Sequence, residues 1–234
     1  IASKEDDKKS GQRLWVVVVL FIFHSVFWAL FEQAGGSITL FTARNIDRVV
    51  LGSEIPASIF QFFNAFFIMT LAPLFSWLWI KMRASGKEPS TPMKFVLGLA
   101  QLALGFGFIV LGSQFAIDGL VPIIFLVFMY LFHTTGELSL SPVGLSMITK
   151  LSPKRMVGFI MGVWFLSISL ANKMAGKIGE LTAGNDLGES ATSIETLEVY
   201  SSTYLTWGVF VVGGAALLLF LMVPTLRKWM HGIH

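Results

Sequence analysis

Apolar runs of about twenty residues or more recur six times along this chain, each closed off by charged or turn-forming residues. A helix that crosses the hydrocarbon core of a bilayer needs about 20 such residues, so the pattern specifies an all-α, polytopic transmembrane bundle. The six spans read as Leu14 to Ala43, Ala57 to Met82, Met93 to Ser113, Leu120 to Thr149, Met156 to Leu181 and Tyr204 to Leu226. Only 13% of the residues are charged, whereas soluble domains carry roughly a quarter, which rules out water as the main solvent. The first run is not a signal peptide. A charged lead-in, Lys4-Glu5-Asp6-Asp7-Lys8-Lys9, precedes it, no small-residue cleavage site follows it, and further spans come after. Several runs exceed the minimum length, so tilting or kinking is expected, with Pro73 and Pro142 as the candidate kinks. No cysteine is present, which excludes disulfide scaffolding.

Loop charges alternate in sign. Lys4, Lys8, Lys9 and Arg13 precede span one, Lys81, Arg83 and Lys87 lie between spans two and three, Lys150, Lys154 and Arg155 between four and five, and Arg227 and Lys228 follow span six. The other side receives Asp47, Glu54, Asp118 and the stretch with Glu180, Asp186, Glu189, Glu195 and Glu198, Arg44 and Arg48 being its clear cations. The positive-inside rule then puts both ends of the chain in the cytoplasm of a plasma (inner) membrane, which requires an even number of spans. Residues 1–13 read as a cytoplasmic linker, 14–226 as the bundle and 227–234 as a cytoplasmic tail. Because the chain opens at Ile1 within that linker, a preceding portion of the protein is expected.

Polarity is shared unevenly among the spans. Three and six carry no charge in their middles, whereas span one has a stripe of Ser25, Ala29, Glu32, Gly36 and Thr39, and span four one of Tyr130, Thr134, Glu137, Ser141 and Gly144. These follow helical spacing, so each carboxylate looks across small and polar groups rather than into lipid. The order line, line, edge, line, line, edge is a three-plus-three repeat of the kind that builds transporters around a midplane site. Glu137 is the strongest pointer, since a carboxylate at mid-span costs on the order of 2.5–3.5 kcal/mol to insert. Glu32 lies just before Gly35-Gly36. The apolar run Ser37-Ile38-Thr39-Leu40-Phe41 argues that the helix continues through those glycines and keeps Glu32 inside.

Other residues admit two readings each. His133, one turn before Glu137, is either a ligand in a His-x-x-x-Glu metal pair or a histidine facing the bundle, and the second is favoured because no further His or Cys is near. Gln61 and Asn64 suit a ligand or a neighbouring helix equally. Gly158, Gly162, Gly176 and Gly179 of span five suggest close helix approach, Trp164 either a pocket wall or packing, and Lys173 and Lys177 snorkelling or pairing with outer acids. There is no phosphate-binding loop, nucleophile elbow or dinucleotide turn, which excludes ATP-driven pumping and familiar enzymes. The chain is read as a non-enzyme without cofactor or nucleic-acid partner, driven by an ion gradient.

Phe27-Trp28-Ala29-Leu30-Phe31-Glu32-Gln33, with Ser37 and Leu40, resembles the seventh helix of the proton-coupled oligopeptide transporters of the major facilitator superfamily. Gly136-Glu137-Leu138-Ser139-Leu140-Ser141-Pro142-Val143-Gly144-Leu145-Ser146, continuing into Leu151-Ser152-Pro153-Lys154-Arg155, is similar to that family's tenth-helix signature, and Gly162-Val163-Trp164-Phe165-Leu166 with Asn172 to its eleventh helix. The motifs occur in family order and cover most of the chain. The resemblance implies the C-terminal six-helix half of a symporter that carries di- and tripeptides inward with protons. It implies that Glu137 holds the peptide's amino terminus with Asn64 assisting, that Trp164 forms part of a side-chain pocket, and that Glu32 belongs to a salt bridge which protonation weakens. Ser141, inside the same signature and on the Glu137 stripe, is taken with them as substrate-binding. Basic residues for the peptide's carboxylate would lie in the missing N-terminal half. One departure is visible, Asn64-Ala65 where the family has Asn-Pro. The rival readings are a carrier of nitrate or another organic anion on the same scaffold and a non-transporting membrane subunit.

Overall fold

In a bilayer no water is available to the backbone, so each apolar run satisfies its own amide and carbonyl groups as a helix. The computed structural model describes residues 2–182 and 191–233, and within these the side-chain surroundings of residues 2–7 and of Val143 are left aside. Six helical segments are long and apolar enough to cross a membrane: Lys8–Gly35, Ala57–Ala84, Thr91–Ser113, Ile123–Leu151, Lys154–Thr182 and Ser193–Trp229. They are built from α1 (Ala2–Phe31), α2 (Ser37–Asn45), α3 (Phe62–Ala84), α4 (Thr91–Ser113), α5 (Ile123–Leu151), α6 (Val157–Thr182), α7 (Ser193–Thr203) and α8 (Val212–Trp229). The helical bundle of six spans is the one expected, and the chain is a multi-pass membrane protein. Residues 2–13 continue α1 as helix.

Two segments depart from the sequence reading. Span one is not a single helix: α1 ends at Phe31, a 3-10 turn runs Glu32–Gly35, and α2 starts only after Gly36, whose φ of −120° and ψ of −104° lie outside the helical region. Apolar continuity signals burial on both sides of the glycines, but it does not require one unbroken axis. Span six is longer than expected, because α7 occupies much of what reads as an acidic loop and runs into α8 through a π-helical stretch, Tyr204–Val211. A capping box starts α7: Thr192 accepts from the Glu195 amide while the Glu195 carboxylate takes the Thr192 amide at 2.8 Å. Asp186 and Glu189 lie outside the described residues.

The main packing seam joins α4 and α5, and glycines open it. Gly98, Gly105 and Gly112 repeat every seven residues along α4. A Cβ at Gly98 would lie 3.0 Å from the Gly136 carbonyl oxygen, one at Gly105 would strike the His133 ring, and one at Gly112 would lie 2.6 Å from Phe125. Small residues at heptad spacing let two antiparallel helices approach along their whole length. Gln101 adds a hydrogen bond to Ser139 Oγ at 3.2 Å across the seam. The α6 glycines behave differently, since Gly158, Gly162, Gly176 and Gly179 have nothing within 4 Å of a Cβ position. Among the described residues they mediate no close helix approach, contrary to the sequence expectation. Nor is α4 an edge: Phe95, Leu99, Leu102 and Phe106 on it are wholly buried, while α3 has no buried residue. The least covered helix among the described residues is thus α3.

At one end of the bundle Asn45 donates to the carbonyls of Gly119 (3.1 Å) and Ser193 (2.6 Å) and accepts from Thr196 (3.1 Å), tying α2, the α4–α5 turn and α7 together. Gly119, at φ +79°, is required there, because a Cβ would sit 2.5 Å from the Ser193 carbonyl carbon. Arg83, Glu88, Lys94, Lys150 and Arg227 gather at the opposite end.

Candidate functional site

Glu137 stands midway along α5 and is half-buried. Asn64, in the first turn of α3, reaches across to it: Asn64 Nδ2 donates to Glu137 Oε2 at 3.2 Å and to Thr134 Oγ1 at 3.1 Å. The orientation of this amide is determined. The Thr134 hydroxyl spends its proton on the Tyr130 carbonyl at 2.8 Å, so it can only accept from Asn64. The nitrogen of Asn64 therefore faces the carboxylate. Polar residues one turn apart on α5 and a single amide on α3 thus make a cluster that costs far less in a bilayer than a bare carboxylate. The expected departure at Asn64-Ala65 leaves α3 helical through this point.

A cavity of about 90 Å³ adjoins the cluster, bounded by Phe31, Ala34, Gln61, Asn64, Tyr130 and His133. It lies where α1 gives way to the 3-10 turn, so the break in span one shapes a wall of the site. Gln61 spends its amide on Thr39 Oγ1 at 2.8 Å, linking α3 to α2 rather than pointing at Glu137. Buried His133 packs on the Phe106 ring with centroids 4.7 Å apart. His24, Glu137 and His133 do not converge, and among the described residues no three His, Cys, Asp or Glu side chains are grouped as a metal site.

Glu32 opens the 3-10 turn, is half-buried, and lies within electrostatic reach of Glu137. The next residue fixes that turn. Buried Gln33 donates to the carbonyls of Ala29 (3.1 Å) and Ala175 (3.0 Å) and accepts from Ser37 Oγ (2.7 Å), which in turn accepts from Tyr204 Oη (3.1 Å). This Gln33–Ser37–Tyr204 chain ties the break to α6 on one side and to the π-helical stretch on the other. Sequence reasoning missed it. The available signal was the i, i+4 spacing of Gln33 and Ser37 about the glycine pair.

Trp164 is elsewhere. It is 4% exposed, lies tilted against His24 with ring centroids 4.1 Å apart, and its ring fills the space a Cβ at Gly144 would need. His24 takes a hydrogen bond at Nε2 from Trp28 Nε1 (2.8 Å), so its proton is on Nδ1, which donates to Ser167 Oγ (2.8 Å). The structure therefore brings together Glu137 and Asn64, leaves Glu32 on the neighbouring turn, places Trp164 in the seam between α1, α5 and α6, and leaves Ser141 one turn beyond Glu137 on α5, half-buried.

Six spans, the first of them broken at its glycine pair, with the Asn64–Glu137 pair joining α3 and α5, make a bundle of the kind that forms one half of secondary transporters. The chain belongs to the POT family, whose model matches residues 1–193. It is 37% identical over 224 residues to the peptide transporter YePEPT of Yersinia enterocolitica, covering 94% of this chain and 42% of that protein. To dipeptide and tripeptide permease B of Shigella dysenteriae it is 33% identical, covering 95% and 45%. Among solved structures, a crystal structure of a POT peptide transporter in complex with sulfate superposes with a TM-score of 0.83 at 29% identity, covering 94% of this chain and 42% of that one. A further one, in complex with alafosfalin, gives 0.80. The chain thus spans less than half the length of these relatives.

Proposed function

We propose that the complete transporter carrying this chain brings di- and tripeptides into the cell together with protons, by alternating access between two six-helix halves in the plasma membrane. It would act as a carrier without catalytic activity or cofactor, with both ends of this segment in the cytoplasm. The observation that carries the reading is Glu137, a mid-membrane carboxylate whose Oε2 is held by Asn64 beside a cavity. A peptide presents an ammonium at one end and a carboxylate at the other, and this half supplies the anionic partner for the first. The names of the relatives support peptides as the cargo. For nitrate or another anion the same carboxylate would repel the cargo, which disfavours that rival. Ser141 would line the path one turn from Glu137, and Trp164 would act from behind by holding α5 at Gly144. Glu137→Gln in the complete transporter should weaken dipeptide binding about tenfold or more, because a charge-assisted hydrogen bond is replaced by a neutral one. Unchanged binding by a folded variant would remove Glu137 from the site.

Glu32 is assigned to proton coupling. It lies in sequence between Phe31 and Ala34, which wall the cavity beside Glu137. It also sits on a turn clamped at Gln33, where a change in its pairing can be passed to α6 and α8. Glu32→Gln should abolish proton-driven accumulation in proteoliposomes yet leave counterflow of labelled dipeptide. Accumulation against a gradient under an imposed pH difference alone would refute the coupling role.

A further inference from the structure

The cationic end of the bundle encloses a cavity of about 790 Å³ that the Glu137 site does not use. Among the described residues Arg83, Lys94, Lys150 and Arg227 line it together with one carboxylate, Glu88. Glu88 is shared between two of the cations, with Arg83 Nε at 2.7 Å and Lys94 Nζ at 2.5 Å. The hydrogen bond from Arg83 is the largest cause, with Lys94 adding to it, that holds the Glu88 carboxyl down at about 2 against a smaller opposing effect of burial. Among the described lining residues Glu88 is thus already shared by two cations, and Arg227 adds a further positive charge. Lys94 is buried, 5% exposed, with its ammonium 4.6 Å from the Trp79 ring. Ser90 and Thr91, the N-cap and first residue of the 23-residue α4, also line the cavity, so the positive end of that helix's dipole faces it.

Position narrows the ligand further. The lining cations come from the ends of α3, α5 and α8 and the start of α4, the level at which lipid headgroups meet a transmembrane bundle. Val223 of α8 forms part of the wall, and along the same helix Leu217, Leu218, Phe220 and Leu221 are exposed apolar side chains on which acyl chains can lie. A free phosphate would satisfy the charges but not fill a cavity of this size with an apolar surface leading from it. We propose that this cavity binds the phosphodiester headgroup of an anionic phospholipid, with its acyl chains along α8. Basic pockets between transmembrane helices take such headgroups for the same electrostatic reason.

The test uses the complete transporter, delipidated in neutral detergent. Native mass spectrometry and thermal melting would be titrated with phosphatidylglycerol, with phosphatidylcholine of the same chains, and with glycerol 3-phosphate as the soluble phosphate. Phosphatidylglycerol should give retained adducts and raise the melting temperature, and the other two should not at the same concentrations. Added salt should weaken the effect. Lys150→Gln with Arg227→Gln should cut affinity for phosphatidylglycerol about tenfold or more, while Lys150→Arg with Arg227→Lys should preserve it. Equal binding of the two lipids would overturn the proposal, as would equal protection by glycerol 3-phosphate or an unchanged affinity in the double glutamine variant. The lipid comparison on the unmodified protein decides the matter even if that variant fails to fold.

Discussion

Gly136 neighbours Glu137 and faces the α4 backbone across the seam, so Gly136→Ala tests both the packing and the site that depends on it. The new methyl carbon would sit 2.8 Å from the Gly98 carbonyl oxygen, with the Gln101 Cβ and a Phe27 ring carbon each at 3.5 Å. The closest atom is backbone and cannot rotate away. The helices must therefore part by roughly half an ångström to restore ordinary contact, loosening neighbours whose attraction falls steeply with distance. Overpacking of this kind costs about 1–3 kcal/mol, while alanine gains about 1 kcal/mol over glycine in helix propensity. Gly214→Ala supplies the propensity gain alone, because nothing lies within 4 Å of its Cβ position. The difference between the two variants isolates the packing cost. At about 1–2 °C per kcal/mol for a complete transporter roughly twice this size, the alanine at 136 should melt roughly 1–6 °C below the alanine at 214. Apparent melting of the complete transporter in detergent, followed by tryptophan fluorescence, gives the measurement. If the two variants melt together, the α4–α5 seam is not held by glycine contacts.

Cysteines placed at Lys87 and at Asp118, in the loops on either side of α4, should react with an impermeant thiol reagent from opposite faces of the membrane; labelling from the same face would overturn the six-span topology. Glu88 titrates far below its ordinary value because Arg83 and Lys94 hold it charged. Its contribution to stability should be complete above about pH 4.5, the ordinary value, and be lost as pH falls toward about 2. Wild-type melting should therefore drop more steeply than that of Glu88→Gln between those limits, and parallel curves would show that the pairing does not stabilise the fold. Thr192→Ala removes the side-chain half of the capping box and should cost about 1 kcal/mol, read as earlier amide exchange in α7 than in α8; unaltered exchange in α7 would mean that α7 is held by its tertiary contacts alone.

Hydropathy and loop charge made the spans legible because a bilayer leaves the backbone only one economical state, and the cost of a mid-span carboxylate made Glu137 stand out without any structure. What the sequence hid was direction. Gly158, Gly162, Gly176 and Gly179 in span five look like packing glycines and meet open space, whereas Gly98, Gly105 and Gly112 in the least polar span carry the closest approach. A glycine pattern tells that a backbone can come near. It does not tell which helix arrives. Trp164 shows the same limit, since an aromatic next to a polar stripe fits a pocket wall and a helix seam equally, and its seam partner, His24, lies 140 residues earlier in the chain.

The break after Phe31 shows how two sequence signals can both hold. Gly35-Gly36 ends an α-helical axis, and Ser37 to Phe41 returns the chain to a buried helix, so the span bends without leaving the bundle. Carbonyl and amide groups released at such a break need partners when water is absent. Gln33 donates to the Ala29 carbonyl and Thr39 to that of Ala34, while Ser37 and Tyr204 hold the Gln33 side chain from the π-helical stretch. Two local irregularities from opposite ends of the sequence thus support each other, and Glu32 sits on the element they brace. The proposed coupling role of Glu32 fits its place at the end of a helix rather than in the middle of one. A carboxylate on an unbroken helix could change its charge without changing the backbone, whereas one on a turn held by a few hydrogen bonds can shift the balance between two packings.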